Sequence, residues 1–254
     1  MTQTPVAELK IRKTRIEVMR PTQCTVGFLE VELKMQELRA RTPDQVSRYL
    51  EAHPIPAVRG PDERMYLTDH HHMGLALIRL AQEWDAADHP AAANPYNVCD
   101  FQIVKDYSDR LDMRMSAFFA RLEAHHLSHP YDEHGQRAGT IPKYLTELVD
   151  DPYRSLAGLA RKAGAYDKVT VPYTEFIWAD YFRDKIDVQR IRLETLADAI
   201  HAAVVLARAP AAAGLPGYRG ESAGHPLPTR TDIQNRLTHR YGADDSAQDL
   251  PPVR

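Results

Sequence analysis

The sequence predicts an α+β fold, a mixed N-terminal domain followed by a helical region, and three observations predict it. Through the first hundred residues short β-branched and aromatic runs alternate with helical periodicity. Beyond Ser108-Asp109 the apolar spacing turns helical. Of the 254 residues 43% are hydrophobic, enough to bury a sizeable core.

In chain order, Lys10 to Met19 and Val26 to Val31 read as β segments, followed by a helix from about Glu32 to Arg39. Thr42-Pro43-Asp44 opens a second helix that runs to Ala52. Pro54 to Val58 and Met65 to Thr68 read as two strands joined by the turn-forming Arg59-Gly60-Pro61-Asp62-Glu63-Arg64. Met73, Ala76, Leu77, Leu80 and Trp84 then fall at i, i+3, i+4, i+7 and i+11, one face of a helix with Asp69 as its N-cap. His71 is expected to point outward, away from Met73 and Leu80.

A breaker-rich loop, His89-Pro90 through Pro95, leads into a strand over Val98 to Tyr107. Met115, Phe118, Phe119 and Leu122 form a core stripe that ends near His125-His126, imidazoles suited to the helix's C-terminal dipole. Asp151-Pro152 matches an N-cap with Pro at the first helical position, and Gly164 closes that helix. Pro172-Tyr173-Thr174 opens a helix from Glu175 to Ile186, and Val188 to Arg208 reads as one long Ala-rich helix. From Ala209 onward Pro, Gly and charge predict extended coil with a short helix around Ile233 to Tyr241. The expected domains are residues 8–107 (α+β), 108–208 (helical) and 209–254 (tail).

Net charge of −3 disfavours extended DNA binding, which draws on a field of lysines and arginines. The basic run from Lys10 to Arg20 reads as an edge strand whose charges block aggregation. Cys24 and Cys99 stand without C-x-x-C partners, so neither a zinc module nor a disulfide framework follows. Met1 to Glu8 holds no apolar signal region and no run reaches about 18 apolar residues, so a cytoplasmic protein with no membrane segment is expected.

Asp69-His70-His71-His72 carries the densest chemistry. Successive helical residues splay by about 100°, so one ligand cannot use all three imidazoles. Asp69 with His72, or with His70, is the reasonable pair for acid–base work or for a divalent cation such as Zn, Mn, Mg or Fe. Glu175 ends the apolar stripe Trp178, Ala179, Phe182 and Ile186; it either caps its helix or is buried against a cation or metal. Asp150 and Asp151 are further carboxylates, Asp151 or Glu175 being the third ligand if a metal binds at Asp69 and His72. Arg154 and Ser155, one turn into their helix, are positioned to bind an anion.

Several of these stretches, in this order, match a known pattern: Pro21-Thr22-Gln23, Val26-Gly27, Val31, Lys34, His53 to Val58, Gly60-Pro61, Tyr66 to His72, Asp150 to Leu156 and Glu175 to Arg183. Over about residues 15–186 the chain resembles the ParB-like nuclease family, a distant branch of the ParB/sulfiredoxin superfamily. The resemblance implies a compact α+β domain whose strand-to-helix junction binds a nucleotide phosphate. The reaction class most consistent with it is hydrolysis of a phosphate ester or nucleotide-type substrate, for which the residues read above offer Asp69 with His70 or His72 as ligands or acid–base groups, Glu175 and Asp150 or Asp151 as supporting carboxylates and Arg154 as an anion clamp. Chromosome-partitioning proteins and sulfiredoxins carry a Gly-x-x-Arg motif at that junction, where this chain has Asp69-His70-His71-His72. Nucleotide-dependent phosphoryl transfer to a small molecule, and nucleic-acid binding without catalysis, are the alternatives.

Overall fold

The computed structural model describes residues 11–220 and 226–241. The chain forms two compact units, one of residues up to Val31 with Arg41–Pro152, the other of Glu32–Ala40 with the residues from Tyr153 on.

The first unit is built on a four-stranded sheet, β1 (Ile11–Arg15), β3 (Ile55–Arg59), β4 (Met65–Leu67) and β5 (Val98–Asp106), in the order β1-β5-β3-β4. β3 and β5 run parallel, which requires a crossover; the two outer pairings are antiparallel. β4 and α3 (His71–Ala86) supply that crossover. α3 carries the expected Met73, Ala76, Leu77 and Leu80 inside, and Leu75 and Ile78 as well. Gly74 lies where the helix comes closest to its neighbours: a Cβ there would sit 3.1 Å from a methyl of Leu67 and 3.2 Å from one of Leu145. The expected stripe of α4 (Met115–Ala124) is core, Phe118 and Leu122 packing with Val58, Tyr66 and Tyr107.

Four local expectations are corrected. Only Ile11–Arg15 of the first β segment is strand; Ile16–Val18 is a 3-10 turn, and Lys10 lies outside the described residues. Val26 to Val31 is not a strand, because β2 is just Thr25–Val26 and α1 (Phe28–Arg39) starts two residues later. β2 pairs in parallel with β6 (Val149–Asp150), and the Phe28 amide donates to Asp150 Oδ1 at 2.7 Å, a cap supplied by a distant strand that local patterning cannot reveal. Val188 to Arg208 is not one helix: two 3-10 turns, Val188–Arg190 and Leu193–Thr195, precede α7 (Leu196–Arg208), and Asp187 accepts from the Gln189 amide in competition with helix bonds. Asp69 is not the N-cap of α3; that position belongs to His70.

α2 (Pro43–Ala52) starts as predicted, with a Thr42–Gln45 capping box. In the second unit α5 (Pro152–Lys162) has proline first and ends at Gly164, whose φ is +90°. The Gly164 and Ala165 amides donate to the Arg161 and Ala160 carbonyls, the double bond of a Schellman end. α6 (Thr174–Arg183) buries Trp178, Ala179 and Phe182; Trp178 stacks on Tyr166 at 4.4 Å and donates to the Pro216 carbonyl. The tail expected from Ala209 includes α8 (Arg230–Tyr241), with the Thr229 and Asp232 side chains exchanging caps at its start. Residues 221–225 and 242–254 of that tail, and Met1 to Glu8, lie outside the described residues.

Candidate functional site

The junction between β4 and α3 is held by the loop that precedes β2. The Arg20 amide donates to the Met65 carbonyl and the Leu67 amide to the Arg20 carbonyl, so this loop lies alongside β4. Two residues on, buried Thr22 ties three segments together. Its hydroxyl donates to the Leu67 carbonyl at 2.6 Å, its amide donates to His71 Nε2 at 3.1 Å, and its carbonyl accepts from the His129 amide. A ring nitrogen that accepts an amide proton carries none itself, which places the His71 proton on Nδ1. His71 is 3% exposed. The expectation that it points outward is therefore corrected: the helix is covered on nearly every side at its first turn, and His71 is a fold-holding residue.

His70 enters α3 with φ of +61°, the left-handed region that non-glycine residues visit at a cost of about 1–2 kcal/mol. Its amide, turned back by that conformation, donates to Asp69 Oδ1 at 2.6 Å, while its carbonyl accepts the Gly74 amide as the first bond of the helix. The kink brings the His70 and His72 rings nearly parallel, 16° apart with centroids 6.2 Å from each other. Both residues are half-buried.

Asp69 has an exposed residue surface, yet enough protein surrounds its carboxylate that burial is the largest influence on it and acts to raise its pKa. The positive fields of His70 and His72, with the His70 amide bond, are the main influences that outweigh it, and the carboxyl lies below its ordinary value. An ionised carboxylate within the field of imidazoles can take a proton, hold a ring in one orientation or neutralise a cation. Among the described residues no group of three or more His, Cys, Asp or Glu side chains is arranged to hold a metal.

The other sequence-derived site residues are placed as follows. Asp150, in the first unit, receives the Phe28 amide; burial is the largest of the influences that raise its pKa. Asp151, also in that unit, is buried, and its amide donates to the Val26 carbonyl. Glu175 belongs to the second unit, where its Oε1 accepts from Arg161 Nε at 2.9 Å, α5 to α6. Arg154 lies over the Phe176 ring, 5.2 Å from its centroid, and Ser155 is fully buried; both are in the second unit. The structure thus gathers Asp69, His70 and His72 at one junction and gives Glu175 an arginine partner.

Sequence reasoning passed over Thr22 as a site-building residue, although it stands within the quoted Pro21-Thr22-Gln23. Its burial and its three partners become visible only in the structure, because those partners lie 45 or more residues away.

No curated protein matches this chain. Among solved structures it is similar to the crystal structure of protein Atu1540 from Agrobacterium tumefaciens, at 36% identity and a TM-score of 0.70 over 85% of this chain and 99% of that one. No helix among the described residues is long and apolar enough to cross a membrane. Residues 12–184 match the family model described as "Putative ParB-like nuclease", in line with the resemblance read over 15–186, and the chain belongs to that family.

Proposed function

We propose that this ParB-like chain hydrolyses a phosphate ester of a small molecule or nucleotide by acid–base chemistry at Asp69, His70 and His72. The observation that carries the reading is the depressed Asp69 carboxyl at the junction that also carries the nearly parallel His70 and His72 rings, His71 having taken the structural role. In this mechanism one imidazole, steadied by Asp69, takes a proton from water as its oxygen attacks phosphorus. The second imidazole, in its protonated form, gives a proton to the departing alkoxide as the P–O bond breaks. Imidazole titrates near neutrality, so both forms are accessible at working pH.

A divalent cation fits this donor set poorly. Asp69 with one imidazole offers two ligands, short of the three that catalytic zinc sites take from protein, so no step here runs through a metal. The net charge of −3 supports a small substrate over extended DNA.

The test is a panel of phosphomonoesters, phosphodiesters and nucleotides incubated with the full chain and with Asp69→Asn, with and without a chelator. The reading expects release of phosphate or alcohol from at least one class by the wild type, insensitive to chelation. Hydrolysis that vanishes with the chelator and returns with Mn or Zn would replace acid–base chemistry with metal catalysis.

A further inference from the structure

The first unit holds a cleft of about 450 Å³, a volume within the range of small-molecule sites. Neither Asp69 nor His70 nor His72 lines it. Its floor is aliphatic and buried, made by Ile16, Leu145, Ile78 and Ala81. These residues follow α3. A Cβ on Gly74 would sit 3.2 Å from Leu145 Cδ1 and 3.6 Å from Ile16 Cδ1; Ile78 is one turn further along the helix and Ala81 the turn after. At about 1.5 Å per residue, the stretch from Gly74 to Ala81 is about 10 Å long.

The two ends of this floor differ in charge. At the Gly74 end stands Arg20, a lining residue whose carbonyl accepts the amide of Leu67, the residue whose methyl lies 3.1 Å from the Gly74 Cβ position. Arg20 Nη1 donates to the Lys143 carbonyl at 2.9 Å, two residues before Leu145. Its guanidinium lies over the Tyr144 ring, 4.4 Å from the centroid, and the Lys143 ammonium is 5.2 Å from the same centroid. Among the described residues no carboxylate forms an ion pair with Arg20 or Lys143. The Tyr144 hydroxyl, held below its ordinary pKa first by Lys143 and then by Arg20, reports the positive field there. Arg15 and Glu17, which also line the cleft, neutralise each other at 2.9 Å. At the other end Asp85 lines the cleft from the last turn of α3, one turn beyond Ala81.

We propose that this cleft binds a medium-chain aliphatic monocarboxylate, its carboxylate on Arg20 and its chain along the floor of Ile16, Leu145, Ile78 and Ala81. A zigzag of about eight carbons, with C–C bonds of about 1.5 Å, spans that floor. The planar guanidinium matches a carboxylate, and its seat against Lys143 and Tyr144 fixes its orientation. The chain gains by leaving water for aliphatic side chains. Asp85 repels a second carboxylate at the far end, so the cleft selects a monoacid over the diacid of the same length.

The experiment is calorimetry on the full chain with octanoate, octylamine, octanedioate and acetate. Octanoate should bind. Octylamine, which reverses the head charge, and acetate, which lacks the chain, should each bind at least tenfold more weakly, and octanedioate at least fivefold more weakly. Arg20→Gln should weaken octanoate binding at least tenfold. Asp85→Asn should leave octanoate affinity unchanged and at least halve the gap between octanoate and octanedioate, a gain that damage to the fold would not produce; this variant decides the matter if Arg20→Gln does not fold. No binding of octanoate, octylamine bound as tightly as octanoate, full octanoate affinity in a folded Arg20→Gln protein, or an unchanged octanedioate gap in Asp85→Asn overturns the proposal. None of these results bears on phosphate-ester hydrolysis at Asp69.

Discussion

The Thr22 amide donates to Nε2 of His71 at 3.1 Å, a bond across 49 residues that fixes the start of α3 to the loop before β2. His71→Ala removes the acceptor, leaves a buried amide unpaired and opens a cavity. The expected loss is about 3 kcal/mol in urea or thermal unfolding. His72→Ala, at a half-buried position one residue on, is expected to cost less than about 1 kcal/mol. Equal losses for the two variants would show that His71 does not hold the junction.

Thr22→Val keeps the shape of the side chain and removes the hydroxyl that donates to the Leu67 carbonyl at 2.6 Å. A loss of about 1–2 kcal/mol is expected, with the unfolding slope against denaturant unchanged. No change in the unfolding midpoint would contradict the role given to this residue.

What the sequence made legible follows from how local each signal is. The Thr42-Pro43-Asp44 helix start, the proline and glycine that bracket α5, and the apolar stripes of α3 and α4 are written within a few residues, and the structure reproduces them. Four adjacent polar residues likewise marked the junction at Asp69. The inward turn of His71 was not legible, because its partner Thr22 is 49 residues away and the cover over that face of α3 comes from distant segments. The cap of α1 by Asp150, across 122 residues, is of the same kind. His70 in the left-handed conformation escaped because histidine only weakly favours it, unlike the glycine that marks Gly164.

Asp69 gives a pH signature whose sign is fixed. Burial opposes ionisation, but chiefly the His70 and His72 fields and the His70 amide bond prevail, and the folded carboxyl lies below its unfolded value. Its contribution is therefore complete above the unfolded value and is lost as pH falls through the folded one. The difference in melting temperature between wild type and Asp69→Asn should accordingly shrink as pH is lowered from about 5 toward 3, a range in which imidazoles already carry their charge. A difference that grows on acidification would mean the carboxyl is raised instead.

Both thiols should be inert in the native protein. Burial is the main cause that pushes Cys24 up to about 11 and Cys99 up to about 12, so little thiolate exists at pH 8. Iodoacetamide at that pH should leave both unmodified in the folded chain and alkylate both in denaturant. Rapid native alkylation of Cys24 would contradict its buried placement.

The Arg161–Glu175 pair is half-buried, so Glu175→Gln is expected to cost no more than about 1 kcal/mol, screened by salt. Turnover on any substrate found should stay within about twofold of wild type. A hundredfold loss would return Glu175 to the chemistry and would require it to act beyond its partnership with Arg161.

The most direct test of the account is turnover by Asp69→Asn on whichever phosphate ester the wild type hydrolyses, measured beside its melting temperature. Asparagine retains an oxygen able to accept the His70 amide but cannot carry the charge. The account predicts at least a hundredfold loss of kcat, in keeping with removal of an acid–base group, with melting changed by only a few degrees at neutral pH. Wild-type turnover in a folded Asp69→Asn protein would contradict it.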